Sequence, residues 1–368
     1  MDFKECAAKL NMVRNAQQGE PAVVMGFDGF VDRIARKVVG SLEQGPQRLA
    51  SMASMGAMLA ARGEHSVSIE LTDMEERVGG NMPITASALG NLEIGVDCYG
   101  AFGHGGLDPV FTKMPKACRL HSYATPGHCL ALEFASCKLF LADNGEIEGA
   151  DWQKVKRCVG AELKNSLANA SLIGLFNWGE LTSMQGIWRE MAQDMLSTLP
   201  QTPRTVFFDP ADCSRRTRDE MLLFVDTLKL YSRFCRVVLS VNDGEIIALA
   251  RAMDIQGDDC ISMGRLLYEK ELADVIVLHS GRYAASWCDG GEYVLPTCYV
   301  EEPLILTGGG DCFNAGFALG LLAKCSIQQC LATGNTLSMC YVKNGNFPTW
   351  DIYMTELEKY NEKWEVQS

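Results

Sequence analysis

Thr307-Gly308-Gly309-Gly310-Asp311 sets three consecutive glycines beside a carboxylate, ahead of a run of small and apolar residues. Glycines let a backbone turn several N–H groups toward one point with no side chain in the way. If a helix starts there, its N-terminal partial positive charge adds to those groups. Together they make a site for a multiply charged anion such as a phosphate. Asp311 would stand at the mouth of that site. A carboxylate there can take the proton of a hydroxyl while N–H groups stabilise charge on a group in transfer. A plainer role is open to the same residues: Asp at a helix start is an ordinary N-cap, and glycines ahead of a helix are common turns.

Other residues are of types that could join this chemistry. Asp28 and Asp32 follow the buried-type strand Ala22–Met25, at the carboxyl end of a strand, where ligands of α/β sheets bind. Asp32 is favoured over Asp28 as a hydroxyl acceptor, with a solvated loop pair or a cap as the alternative. Gly79-Gly80 permits close backbone approach to a ligand, or is only a turn before a helix. Asn242-x-x-Glu245 follows a strand and opens a helix. That is capping-box spacing, and a capped end would also fix Glu245 near a phosphate. Asp209-Pro210 ends a strand and reads as turn initiation. The five histidines show no metal-ligand spacing, and ordinary core or surface positions are expected for all except His279. The chain lacks G-x-x-x-x-G-K-[ST], and no G-x-G-x-x-G follows the first strand, which argues against a P-loop and against dinucleotide binding.

Positioning such groups takes a framework, and the C-terminal two-thirds alternates short apolar runs with helical periodicity. Strands are expected at Ser171–Phe176, Thr205–Phe208, Val237–Val241 and Asp274–Leu278. Helices are expected over Leu181–Leu199, Arg216–Tyr231, Glu245–Met253, Met263–Leu272, Asp311–Lys324 and Gln328–Lys343. Continuous apolar strands between amphipathic helices mean a parallel sheet covered on both faces. The first half differs. Ile34–Val39, Ser66–Leu71 and Cys129–Leu141 look like extended strands of partly alternating polarity, better suited to a small separate sheet that covers the main one. Asn81–Leu92 reads as a small-residue helix leading to a strand at Gly95–Tyr99. Met52, Met55 and Met58 have the spacing of a packed helix face.

The 368 residues carry no repeat or linker, so one large α/β domain is expected over 1–368, with covering strands within 33–40, 66–78 and 128–142. A net charge of −13 argues against nucleic acid and anionic membranes as partners, because both are bound through many Lys and Arg contacts. Fifteen cysteines with no C-x-x-C pair suggest small buried hydrophobes in a reducing compartment. Met1–Glu20 is polar, and no apolar run reaches the ~18–20 residues that span a bilayer. A soluble, cytoplasmic protein is expected.

The Thr-Gly-Gly-Gly-Asp turn, the small-residue helix behind it and its place near the C-terminus resemble the ribokinase-like (PfkB) carbohydrate kinases, whose usual form is D-T-x-G-A-G-D. The resemblance runs from about Ala22 to Trp350. It implies a central, mostly parallel sheet flanked by helices, a small β-sheet lid, and transfer of the γ-phosphoryl group of ATP with Mg²⁺. By resemblance, Asp311 is the catalytic base, and Gly308, Gly309 and Gly310 line the anion hole. Gly79-Gly80-Asn81 is similar to the family's Gly-Gly motif against the acceptor. Asp32, with Asp28 as rival, fits the acidic residue on the acceptor's hydroxyls. Thr125-Pro126-Gly127 resembles the entry to a returning lid strand. Asn242 and Glu245 match the N-x-x-E motif tied to Mg²⁺ and phosphate, which places Mg²⁺ near Glu245. His279-Ser280-Gly281 stands where the family carries a Thr-x-Gly near the nucleotide. The chain departs from the pattern at Ile305, Gly309, Ile84, His279 and Gly103-His104-Gly105. These departures leave open whether the acceptor is a sugar or a nucleoside. The expected partners are that small acceptor, ATP, and a second copy paired through the lid. A non-catalytic sugar or nucleoside sensor on the same fold is the alternative.

Overall fold

The computed structural model describes residues 3–16, 22–42, 45–134 and 137–365. Residues 135 and 136, inside the expected strand Cys129–Leu141, lie outside the described residues, as do 1, 2 and 17–20 of the polar N-terminal stretch.

Fourteen strands form two sheets among the described residues. Those of the larger are β1 (Val23–Gly26), β5 (Val96–Gly100), β6 (Cys118–Ser122), β9 (Leu172–Phe176), β10 (Thr205–Asp209), β11 (Arg236–Val241), β12 (Val275–His279), β13 (Tyr283–Cys288) and β14 (Gly291–Pro296). They lie in the order β14-β13-β12-β11-β10-β9-β1-β5-β6. The pairings from β12 to β6 are parallel; β13 and β14 add an antiparallel edge.

Successive residues of a strand point to opposite faces, and here both faces are buried. Val206 and Phe208 of β10 pack with helices Trp152–Asn169, Ser183–Asp194 and Arg218–Tyr231. Phe207 packs on the other side, with Asn81–Asn91, Gly309–Leu322 and Ile327–Asn344. This two-sided burial is why the parallel strands read as unbroken apolar runs. Caps set several helix starts: Thr217 with Glu220, Asn242 with Glu245, and Ser326 with Gln329 each form a reciprocal capping box.

The smaller sheet holds β2 (Phe30–Leu42), β3 (Gly45–Arg48), β4 (Ile69–Gly79), β7 (Gly127–Glu133) and β8 (Lys138–Asp143). β2 continues the chain from β1, so the two sheets meet at the carboxyl end of the first strand. Helix Met52–Arg62 lies on one face of this sheet, over a small core that includes Ala35, Val38, Met58 and Leu132.

Some expectations need correction. Cys129–Leu141 is not one strand but the antiparallel pair β7 and β8. The strand expected at Ser66–Leu71 instead runs Ile69–Gly79, paired with β2 along most of its length. Of the three methionines, Met58 is buried and Met55 packs beside it, whereas Met52 is exposed. The sequence reading did not place helices Phe3–Asn15, Trp152–Asn169 and Trp350–Glu365, or strands β3, β6, β13 and β14. No helix among the described residues is long and apolar enough to cross a membrane.

Candidate active site

The helix expected from Asp311 starts two residues earlier, at Gly309. Gly308 is its N-cap residue at φ +87°, a left-handed conformation that glycine takes without strain. A Cβ there would also press on the Tyr341 hydroxyl at 3.1 Å and on Ile84 at 3.3 Å. Asp311 therefore occupies the first turn and does not cap the helix. Its carboxylate instead accepts a hydrogen bond from Asn81 Nδ2 at 3.0 Å, across 230 residues of sequence. Asn81 is the first residue of helix Asn81–Asn91, behind Gly80 at φ +92°. Two helix N-termini thus converge on one carboxylate. That carboxylate is held well above its ordinary range, first by burial and then by the charge of Asp209, against the Asn81 hydrogen bond.

Asp311, Gly310, Asn81, Gly80 and Asp32 line a cavity of about 300 Å³ beneath the small sheet, which contributes Phe30, Cys129, Phe140 and Ala142. Among the described residues, no lysine or arginine lines it. The Asp32 carboxyl fills the space a Cβ on Gly79 would need, so this glycine lets the acidic group tuck against β4. Burial, and next the charge of Asp28, push Asp32 up to about 7, with Lys138 pulling the other way. Asp28 does not line the cavity. It is fully buried behind the wall. Its Oδ2 accepts from the Asn81 backbone N–H at 2.8 Å and from Asn177 Nδ2 at 2.9 Å, and its Oδ1 accepts from Met82 N–H at 3.1 Å. Burial raises Asp28 to about 6 against those bonds. It thereby holds the start of the helix that presents Asn81.

A second cavity of about 590 Å³ shares Asn242, His279 and Gly310 with the first. It is lined further by Gly309, Gly281, Thr297 to Val300, and Asn335 and Met339 of helix Ile327–Asn344. Gly308 belongs to neither lining. Asn242 and Glu245 make the expected capping box: Glu245 N–H donates to Asn242 Oδ1 at 3.0 Å, and Asn242 N–H donates to Glu245 Oε2 at 2.9 Å. Glu245 also lines the first cavity, so capping and site placement hold together. Burial and the charge of Asp209 raise its carboxyl well above the usual range. Burial lowers His279 to about 4, which leaves a neutral imidazole at physiological pH. Its Nε2 has no hydrogen-bond partner, and its Cε1 lies 3.1 Å from where a Cβ on Gly310 would sit.

The sequence reading gave Asp209 only a turn. It does make that turn, accepting Ala211 N–H at 2.8 Å, and it also lines the first cavity beside Ala211, Asp212, Asn177 and Glu180. Asn314 Nδ2 donates to its Oδ2 at 2.6 Å, and Ser240 Oγ donates to Asn314 Oδ1 at 2.7 Å. Burial raises Asp209 to about 6 against those bonds. The available signal was position: β9 and β10 end side by side, and their next residues face the same crevice. Among the described residues, no group of three or more His, Cys, Asp or Glu side chains is arranged to hold a metal ion. Glu245 and Asp209 still place two acidic groups in the same cavity lining as Gly310.

Residues 4–360 match the family model for prokaryotic ketohexokinase. A ketohexokinase of Haloferax volcanii is 26% identical over 337 residues, covering 89% of this chain and 88% of that protein. Among solved structures, adenosine kinase from Sinorhizobium meliloti superposes with a TM-score of 0.67 at 15% identity, covering 92% of this chain and 99% of the other. Ribokinase from Arabidopsis thaliana, complexed with ribose and ATP, superposes with a TM-score of 0.62 at 13% identity, covering 93% and 99%.

Proposed function

This chain belongs to the prokaryotic ketohexokinase family and is a carbohydrate kinase, and we propose that it transfers the γ-phosphoryl group of ATP to a hydroxyl of a neutral ketohexose. The observation that carries this reading is Gly310, which lines both cavities, next to Asp311, which lines the smaller one. The smaller cavity suits a sugar. Its polar lining of Asp32, Asn81, Asn177 and Glu180 offers hydroxyls carboxylate and amide partners. The lack of a lining cation among the described residues disfavours a sugar acid or a sugar phosphate, which would need charge-assisted partners. The larger cavity, bounded by Asn242, His279 and Gly281, suits the nucleotide.

In this reading Asp311 takes the proton of the attacking hydroxyl, and Asn81 fixes the orientation of its carboxylate. Asp32 accepts from the sugar's other hydroxyls. The first-turn N–H of Gly310 stabilises charge on the transferred group and Gly308 supplies the bend that aims it, whereas the Gly309 N–H donates to the Leu306 carbonyl at 3.2 Å. Mg²⁺ would arrive with ATP near Glu245 and Asp209 and offset phosphate charge there. The small sheet acts as a lid that keeps water, a competing acceptor, from the site. Its exposed Phe140 and Leu141 mark where a second copy would pair, which light scattering would test. The central test is ADP release with Mg·ATP over a panel of neutral ketohexoses, aldoses, nucleosides and sugar acids. Turnover with ketohexoses is expected; turnover only with sugar acids or only with nucleosides would overturn the acceptor assignment.

A further inference from the structure

We propose that Cys6 and Cys325 form a reversible disulfide site that closes when the chain meets a low-molecular-weight disulfide. Cys6 lies in the first turns of helix Phe3–Asn15 and is fully buried. Cys325 is partly exposed in the short connection between helices Gly309–Leu322 and Ile327–Asn344. Their sulfurs stand 3.4 Å apart. A disulfide bond is about 2.05 Å long, so closure needs a movement of roughly 1.4 Å, and one partner sits on a turn.

The surroundings give the two thiols different roles. Lys9, on the same helix as Cys6, donates from Nζ to the Lys324 carbonyl at 3.3 Å and pairs with Glu5 Oε1 at 2.7 Å, which sets its ammonium near Cys325. The contact with the Cys6 thiol, and after it the Lys9 ammonium, lower Cys325 against burial and the Glu5 charge, while Cys6 is pushed up by the same contact and by burial. Cys325, the more exposed of the two and the one whose ionisation is eased, reacts first. Its sulfur attacks one sulfur of the small disulfide, forms a mixed disulfide and releases one small thiol. Cys6 then loses its proton and attacks the Cys325 sulfur, which releases the second small thiol and leaves the Cys6–Cys325 bond. Two protein thiols are oxidised and one small disulfide is reduced to two thiols. Cys98 and Cys118 also face each other, but both are buried, which denies an incoming disulfide access.

The bond would join positions 319 residues apart. It would tie the N-terminal helix to the end of helix Gly309–Leu322 opposite Asp311. Constraint of so long a loop in the unfolded chain should raise Tm by on the order of 5 °C, without touching either cavity.

The experiment incubates the full-length protein with oxidised glutathione, denatures it in N-ethylmaleimide, digests it without reductant and maps the peptides by mass spectrometry. A peptide pair joining positions 6 and 325 is expected, together with the higher Tm, and dithiothreitol should reverse both. Cys6→Ser should stop at the first step, with one glutathione retained on Cys325 and no rise in Tm. The proposal is overturned if wild-type Cys6 is recovered fully alkylated at every time point, or if oxidation is confined to exposed Cys158 or to other pairs. The peptide map of the wild-type protein decides this even if the serine variant folds poorly.

Discussion

Asp311→Asn separates a catalytic carboxylate from a structural one. Asparagine has the same shape, and its amide oxygen can keep the hydrogen bond that Asn81 Nδ2 now donates at 3.0 Å. What it cannot do is take a proton. Loss of a general base costs about 10²–10⁴ in rate, or ~3–5 kcal/mol of barrier, and that is the expected fall in kcat. Nucleotide affinity should stay near the wild-type value, because the glycine turn and Glu245 are untouched. Stability should move the opposite way. Burial, with Asp209 next and Asp28 further behind, raises the folded Asp311 well above its unfolded value of 3.8. A raised carboxylate contributes stability that is complete below the unfolded value and lost as pH rises through the folded one. The variant lacks that loss, so its Tm advantage over wild type should grow as pH climbs from about 4. The assays are coupled ADP release, calorimetric nucleotide titration, and thermal melts across pH. A variant that keeps more than a tenth of wild-type kcat, or melts well below wild type at pH 8, would refute the reasoning.

Other outcomes follow from the same geometry. Asp32 titrates at about 7, and if only its ionised form accepts sugar hydroxyls, kcat/KM for the sugar should rise about tenfold from pH 6 to pH 8. Asp32→Asn should flatten that part of the profile. Asp209 is the strongest neighbouring charge raising Asp311, so Asp209→Asn should move the acid limb of the kcat profile to lower pH; an unmoved limb would show the two groups uncoupled. Gly316→Ala would put a Cβ 2.4 Å from the Thr333 backbone oxygen, where helices Gly309–Leu322 and Ile327–Asn344 touch. It should cost about 1–3 kcal/mol of stability, read as a lower urea midpoint, and normal stability would contradict the packing. Chelation of Mg²⁺ should abolish turnover while sugar binding, followed by tryptophan fluorescence, persists.

Features legible in the sequence were those written in neighbouring residues. The parallel strands showed as apolar runs because both of their faces are buried. The Asn242–Glu245 cap and the bend at Gly308 follow from local hydrogen bonding and from a backbone angle open mainly to glycine. Both are fixed within a few positions of chain, so one sequence suffices to see them.

Convergence belonged to the tertiary structure. Whether Asp28 or Asp32 faces the cavity depends on where β2 departs from β1 and on which carboxyl is drawn into capping helix Asn81–Asn91. That Asn81 meets Asp311, and that Asp209, besides making its turn, lines the same cavity, depends on helices and strands far apart in the chain docking on one sheet. The hairpin hidden in Cys129–Leu141 and the antiparallel edge of β13 and β14 likewise exist only as pairings. Such contacts arise when separate elements bury their apolar faces together, and no local pattern of residues encodes which partners the packing will bring into reach.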